Sequence, residues 1–213
     1  MKVTHFPCGP TANQSEEKCF WKLTDELKLR ASPDTWVLLT NLAFSVNHQL
    51  QADEIDLVAI GPPGVRVIEV KHWSSEWIKN NLQNVDDEAD RVTHKARKIA
   101  TTLRAIVPDL SYVPAVILLT HDSLKERFEK QRRGVSLYTL QEWQDALNLQ
   151  AAPTLSSPQI ELLASRLQPR SQVAVNASLR RFLSYVNLER VSSSDDRFHR
   201  VYKGSHSARR DKI

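Results

Sequence analysis

Residues 54–71 read Glu54-Ile55-Asp56-Leu57-Val58-Ala59-Ile60-Gly61-Pro62-Pro63-Gly64-Val65-Arg66-Val67-Ile68-Glu69-Val70-Lys71. Two apolar arms rich in β-branched residues flank a Gly-Pro-Pro-Gly turn, which predicts a single β-hairpin. A turn centred on Pro62-Pro63 sets Ile60 opposite Val65, Val58 opposite Val67 and Asp56 opposite Glu69. Directly opposed side chains lie about 4.5–5.5 Å apart at Cβ, where like charges repel. Strand alternation then carries Lys71 to the face of Glu69. Two facing carboxylates with a lysine beside them make poor packing. They make good chemistry, as a divalent-metal site with an adjacent cation. The plainer alternative is a solvent-facing strand edge with Glu54 paired across to Lys71.

Working outward, Asn13 and Glu16 form a capping signal for a helix over 14–30, with Phe20, Leu23 and Leu27 as its apolar stripe. Pro33-Asp34 ends it, and Trp36 to Thr40 is strand-like. After the hairpin, 72–85 carries His72, Trp73, Trp77, Asn80, Asn81 and Asn84 and reads as a loop or irregular segment. A second helix is predicted from Asp86 to Val107, with Val92, Ala96, Ile99, Leu103 and Val107 as its buried stripe. Val113 to Thr120 is a strand apolar enough to be buried on both faces. Ser123 to Arg133 reads as an amphipathic helix stopped by Gly134, and Val135 to Leu140 as a strand. Thr139 and Glu142 then make a capping box for a short helix to about Leu149.

This alternation predicts a mixed α/β sheet with helices on its faces. Ala, Pro, Thr and Ser cluster between Gln150 and Pro158, so a domain over 1–150 is expected, followed by a linker and helical, basic extension over 151–213. A helix is predicted at about 159–167 within that extension, with a break at Gln168-Pro169-Arg170.

The chain has 213 residues, 41% hydrophobic and 25% charged, an ordinary composition for a globular protein. No apolar run approaches the roughly 20 residues of a membrane helix. The start, with His5, Pro7 and Pro10, lacks the apolar centre of a signal peptide. The two cysteines, Cys8 and Cys19, suggest neither a disulfide framework nor a zinc pattern, and a reducing cytoplasm is the default compartment. A net charge of +4 is compatible with nucleic acid, but Arg197, Arg200, Lys203, Arg209, Arg210 and Lys212 concentrate it in the tail.

A hard cation such as Mg²⁺ uses one or two carboxylates together with water and substrate phosphate. Asp56 and Glu69 supply the carboxylates, and the backbone carbonyl of Val70 adjoins them. Lys71 could orient a nucleophilic water, deprotonate it if its own pKa is depressed, or stabilise the transition state. Glu16 shares the apolar face of the first helix, where a carboxylate is costly unless paired or metal-bound. It could equally be the capping partner of Asn13, and the two roles are compatible. Glu17 is about a quarter-turn away and more solvent-facing. Lys95 and the other cations of the second helix read as a solvated face or as phosphate contacts. Trp73 and Trp77 suit core or rim packing better than base stacking, and the seven histidines lack metal-ligand spacing.

The set Glu16, Asp56 and Glu69-Val70-Lys71 resembles the restriction-endonuclease-like PD-(D/E)xK superfamily, and within it the nuclease-related domain (NERD). Ser15-Glu16, Glu54-Ile55-Asp56-Leu57-Val58 and Gly64 to Lys71 carry the likeness, which spans about residues 14–149. The resemblance implies a restriction-endonuclease-like mixed central β-sheet flanked by helices. It also implies cleavage of phosphodiesters dependent on Mg²⁺ or Mn²⁺. Asp56, Glu69 and the Val70 carbonyl would hold the metal, Lys71 would serve the water, and Glu16 would complete the acidic cluster. The family often carries a glutamine on the second helix; Lys95 is the nearest match here and the residue for a substrate contact.

Arg197-Phe198-His199-Arg200-Val201-Tyr202-Lys203-Gly204 more weakly resembles the first hairpin of a protein-kinase-like domain, with Ser192-Ser193-Ser194-Asp195-Asp196 where a glycine-rich loop would stand. The expectation is therefore a cytoplasmic, metal-dependent nuclease acting on nucleic acid, DNA before RNA, with no membrane partner. It would form the N-terminal part of a longer nuclease–kinase protein of phage defence. A non-catalytic nucleic-acid-binding or regulatory module for the kinase-like region is the rival reading. Homo-oligomerisation is left open.

Overall fold

The computed structural model describes residues 2–9, 13–30, 33–44, 53–110, 112–121, 129–168, 181–182, 185–190 and 202–206. The chain divides into two compact units, Met1–Gln168 and Pro169–Ile213.

In the first unit, β1 (Lys2–Pro7) pairs in parallel with β2 (Thr35–Phe44), and α1 (Gln14–Leu29) connects them. The side chain of Asn13 accepts the Glu16 amide at 3.0 Å and caps α1. Cys19, Phe20, Leu23 and Leu27 are buried along one side of that helix. The hairpin follows as β3 (Asp53–Gly61) and β4 (Gly64–Lys71). Gly64 takes a φ of 120°, a conformation that favours glycine. A Cβ on Gly61 would meet the Trp36 ring at 2.5 Å. The turn is pinned from outside, because the Pro62 carbonyl accepts the Thr154 amide at 2.7 Å and the Leu155 amide at 3.1 Å.

The expected register holds through Ile60↔Val65, Val58↔Val67 and Leu57↔Ile68, where the ladder stops. Beyond Leu57 the arms part. β3 continues alongside β2 to Asp53↔Phe44, while β4 runs in parallel beside β5 (Ala115–Leu119) as far as Lys71↔Leu119. Asp56 and Glu69 are therefore not a ladder pair. At the parting Asn41 adopts a φ of 52°, and β2 reverses which face its apolar residues serve.

The segment 72–85 is more regular than expected. α2 (Ser75–Asn80) is capped by Ser74, and α3 (Leu82–Arg104) begins four residues before the predicted start. Of the asparagines that argue for a loop, Asn80 ends α2, Asn84 lies in the first turn of α3, and Asn81 is the joint between the two helices. Asn81 gives its backbone N–H to Ile78 and its side-chain amide to the Trp77 carbonyl. Trp73 and Trp77 stack at 4.6 Å and pack against the core.

The helix expected over Ser123–Arg133 lies mostly outside the described residues. Its end is instead β6 (Gln131–Arg132), which turns back onto β7 (Val135–Thr139). Arg133 and Gly134 both have positive φ, as a two-residue hairpin turn requires, so the glycine makes a turn here rather than a helix stop. The Thr139–Glu142 capping box forms as expected, leading through a 3₁₀ turn into α4 (Trp143–Ala146). α5 (Ser157–Leu167) buries Ile160, Leu163, Ala164 and Leu167 against the same core. The compositional break at 150–158 therefore falls within the first unit.

The strands form a seven-stranded mixed sheet in the order β1-β2-β3-β4-β5-β7-β6. α3 and α5 cover one face, over Val58, Ile60, Val67, Ile117 and Leu119. α1 and α4 cover the other, over Leu38, Leu57, Ile68 and Leu118. This is the restriction-endonuclease-like arrangement expected from the sequence. Among the described residues no helix is long and apolar enough to cross a membrane.

The second unit contains an antiparallel sheet of β8 (Arg181–Phe182), β9 (Tyr185–Arg190) and β10 (Tyr202–His206). Ser192–Asp196 and the Arg197–Val201 part of the kinase-like stretch lie outside the described residues.

Candidate active site

The parting of β3 from β4 builds the site. Where the ladder ends, Asp56 Oδ2 accepts the Val70 amide at 2.8 Å, so a side chain takes the place of a strand carbonyl. On β4 the alternation of Val65 and Val67 toward α3 continues into Glu69 and Lys71. Lys71 Nζ lies 2.9 Å from Glu69 Oε1, which confirms that the two share a face.

α3 completes the constellation with two residues seven positions apart, two turns along one edge of its apolar stripe. Lys95 Nζ donates to Glu69 Oε2 at 2.7 Å. Glu88 Oε1 lies 3.2 Å from Lys71 Nζ, and Glu88 Oε2 lies 3.2 Å from Arg91. Lys95 is thus an inward cation and not part of a solvated face. Glu88 is the residue that sequence reasoning missed. Its signal was available: it precedes the buried Val92 by four residues and Lys95 by seven.

Glu16, Asp56, Glu69 and Glu88 are all buried. Burial, followed by the neighbouring charge of Glu69, pushes the Asp56 carboxyl up to about 7. The charge of Glu16 adds to this rise. Burial also works against the Glu69 charge, but Lys95 and Lys71 overcome it and hold that carboxyl below its ordinary value. For Lys71, burial favours the neutral amine, yet Glu69, Glu88 and Asp56 together raise its pKa. Lys71 is therefore a firm ammonium, and the alternative in which a depressed pKa lets it take a proton is not met.

Asn13 caps α1 through the Glu16 amide, and its Nδ2 also donates to Glu16 Oε1 at 2.5 Å, a bond to the side chain of the cap; the Glu16 carboxylate lies near Asp56 and Cys19. Glu17 is exposed. Glu54 is exposed on β3, and the acids that hold Lys71 are Glu69 and Glu88, so the plain strand-edge pairing is replaced by an internal one. His72 turns away and shares a hydrogen bond of 3.1 Å with Thr120.

A profile of the nuclease-related domain family, NERD, matches residues 13–119, half of the chain. The chain belongs to the nuclease-related domain family. No curated protein matches it. The matched span of the nuclease-related domain contains Glu16, Asp56, Glu69, Lys71, Glu88 and Lys95. It ends with β5; the outer strands β6 and β7 and helices α4 and α5 lie beyond it in the same compact unit.

Among the described residues no three His, Cys, Asp or Glu side chains gather to hold a metal ion. Asp56 and Glu69 are electrostatic neighbours, the charge of Glu69 adding to the burial that raises the Asp56 pKa.

Proposed function

We propose that this nuclease-related domain hydrolyses phosphodiester bonds of nucleic acid, DNA before RNA, with Mg²⁺ or Mn²⁺ as cofactor. One observation carries the reading: two buried carboxylates from the parted arms of one hairpin adjoin a charged lysine that is bonded to one of them. The donor set fits the cation. Mg²⁺ takes one or two protein carboxylates and keeps water and phosphate for its remaining positions. Asp56, Glu69 and the Val70 carbonyl are hard oxygen donors, and the burial and Glu69 charge that raise the Asp56 pKa favour a bound positive charge. When bound, such an ion supplies Lewis-acid stabilisation of the charge that develops on the phosphate.

The protein's own residues do the rest. Lys71, held by Glu69 and Glu88, donates hydrogen bonds toward the attacking water and the developing negative charge. Lys95 stands beside it as a second cation for the substrate phosphate. Glu16 adds negative charge behind Asp56. A cytoplasmic setting follows the sequence reading. The kinase-like resemblance of Arg197–Gly204 supports a place in a longer nuclease–kinase protein of phage defence.

The test is cleavage of plasmid DNA and of RNA in Mg²⁺ or Mn²⁺ by the wild type, Asp56→Ala and Lys71→Ala. The expected result is metal-dependent cutting, faster on DNA, that both substitutions abolish. Cutting that is absent, or equal in all three proteins, overturns the reading and leaves a nucleic-acid-binding or regulatory module.

A further inference from the structure

We propose that Lys95 is a built-in counter-ion that occupies Glu69 until a nucleic-acid phosphate draws it away, so that metal and nucleic acid bind cooperatively. This rests on the reading of Asp56 and Glu69 as ligands of a divalent cation.

Both oxygens of Glu69 are engaged by ammonium groups, Oε1 by Lys71 at 2.9 Å and Oε2 by Lys95 at 2.7 Å. A cation that binds Glu69 must enter against this pair of positive charges. The two lysines are not equivalent. Lys71 has a second acid, Glu88 at 3.2 Å, and keeps a partner when Glu69 turns to a metal. Among the described residues, Glu69 is the acid that ion-pairs with Lys95. The repulsion therefore falls on Lys95, which loses its partner as the metal gains one.

Lys95 has the means to leave. Its ammonium is carried on a flexible four-carbon stem, and its side chain is 15% exposed, so it reaches the rim of the site. A phosphodiester lying along that rim offers the anion that Glu69 ceases to be. Each ligand then removes an obstacle for the other, and by linkage the enhancement is reciprocal. Glu88 becomes the residue that retains Lys71 in the site through the exchange, while Lys95 moves from protein carboxylate to substrate.

The experiment measures Mn²⁺ binding to the 213-residue chain by electron paramagnetic resonance, with and without a phosphorothioate DNA duplex. In the wild type the duplex tightens Mn²⁺ binding. Lys95→Gln tightens it by about tenfold without DNA and loses most of the enhancement that DNA gives. Lys95→Arg, which keeps the charge, retains the weak binding of the wild type. Arg97→Gln, the same loss of charge at an exposed position of α3, stays near the wild-type value. Asp56→Asn weakens binding in every background. If Lys95→Gln binds Mn²⁺ no more tightly than Arg97→Gln while Asp56→Asn still weakens it, the counter-ion proposal fails and the ligand assignment stands. If Mn²⁺ binding is indifferent to Asp56→Asn, both fail.

Discussion

Asp56 accepts the backbone N–H of Val70 at 2.8 Å, at the point where the two arms of the hairpin separate. One acid of the site is thus fixed by the backbone. The other, Glu69, is fixed by Lys71 and Lys95. The neighbours differ in electrostatic state as a result. Burial and the charge of Glu69 raise the pKa of Asp56 to about 7, whereas the lysines outweigh burial and lower that of Glu69.

Asp56→Asn should stabilise the metal-free protein while abolishing cleavage. The amide oxygen still accepts the Val70 N–H, and the buried charge is gone. An acid whose pKa is higher folded than unfolded favours folding at low pH and loses that contribution as pH rises through the folded value. The gain is therefore greatest above pH 7, on the order of a few kcal/mol, and shrinks toward pH 4. Thermal melts in EDTA at pH 5 and pH 8 check this. An equal difference at both values would show that the Asp56 charge is not strained.

Glu69→Gln should do the reverse. It leaves Lys71 and Lys95 without their shared anion, a loss of roughly 2–3 kcal/mol for charged hydrogen bonds at a buried site. A lowered carboxyl pKa contributes stability above the unfolded value and gives it up as pH falls through the folded one. The destabilisation should thus be full at pH 7 and fade below about pH 4. Urea unfolding across this range measures it, and a stabilised Glu69→Gln would contradict the ion-pair network.

Mn²⁺ affinity should climb as pH rises toward 7, because Asp56 must release its proton before it can serve as a ligand. Calorimetric titrations in buffers of different ionisation heat would detect the released proton. In Asp56→Asn the remaining affinity should lose this dependence.

Glu88→Gln should lower kcat by roughly ten- to a hundredfold with little change in nucleic-acid affinity, since Lys71 loses the acid that anchors it when Glu69 turns to a metal. Single-turnover cleavage separates this from a binding defect. A change confined to KM would assign Glu88 to substrate contact instead.

Gly61→Ala should cost about 2 kcal/mol or more, because its Cβ would press into the Trp36 ring at 2.5 Å. Gly134→Ala meets nothing within 4 Å and strains only the positive φ of a surface turn. Parallel denaturant curves of the two variants distinguish packing from backbone strain.

Much of this was local and hence legible. The Asn13 cap, the Phe20-Leu23-Leu27 stripe, the hairpin and the Thr139–Glu142 box all depend on neighbours within a few residues. The misreadings have a common cause. β1 is a short outer strand whose partner lies more than thirty residues away. The asparagines of 80–84 have turn propensity, but Asn81 joins α2 to α3 and the other two lie within those helices. Gly134 stops a helix or closes a hairpin with equal ease, and the register with Arg132 decided for the hairpin.

By itself, the sequence determined the acids and the cation of the hairpin and the α/β class that carries them, because strand alternation and helical spacing are properties of the chain alone. Only the tertiary structure decided that Asp56 bonds the backbone instead of facing Glu69, that Lys95 turns inward, and that Glu88 belongs to the site. Those outcomes depend on where β3 leaves β4 and on how α3 lies across the sheet. Both are set by packing between distant segments, which no local pattern encodes.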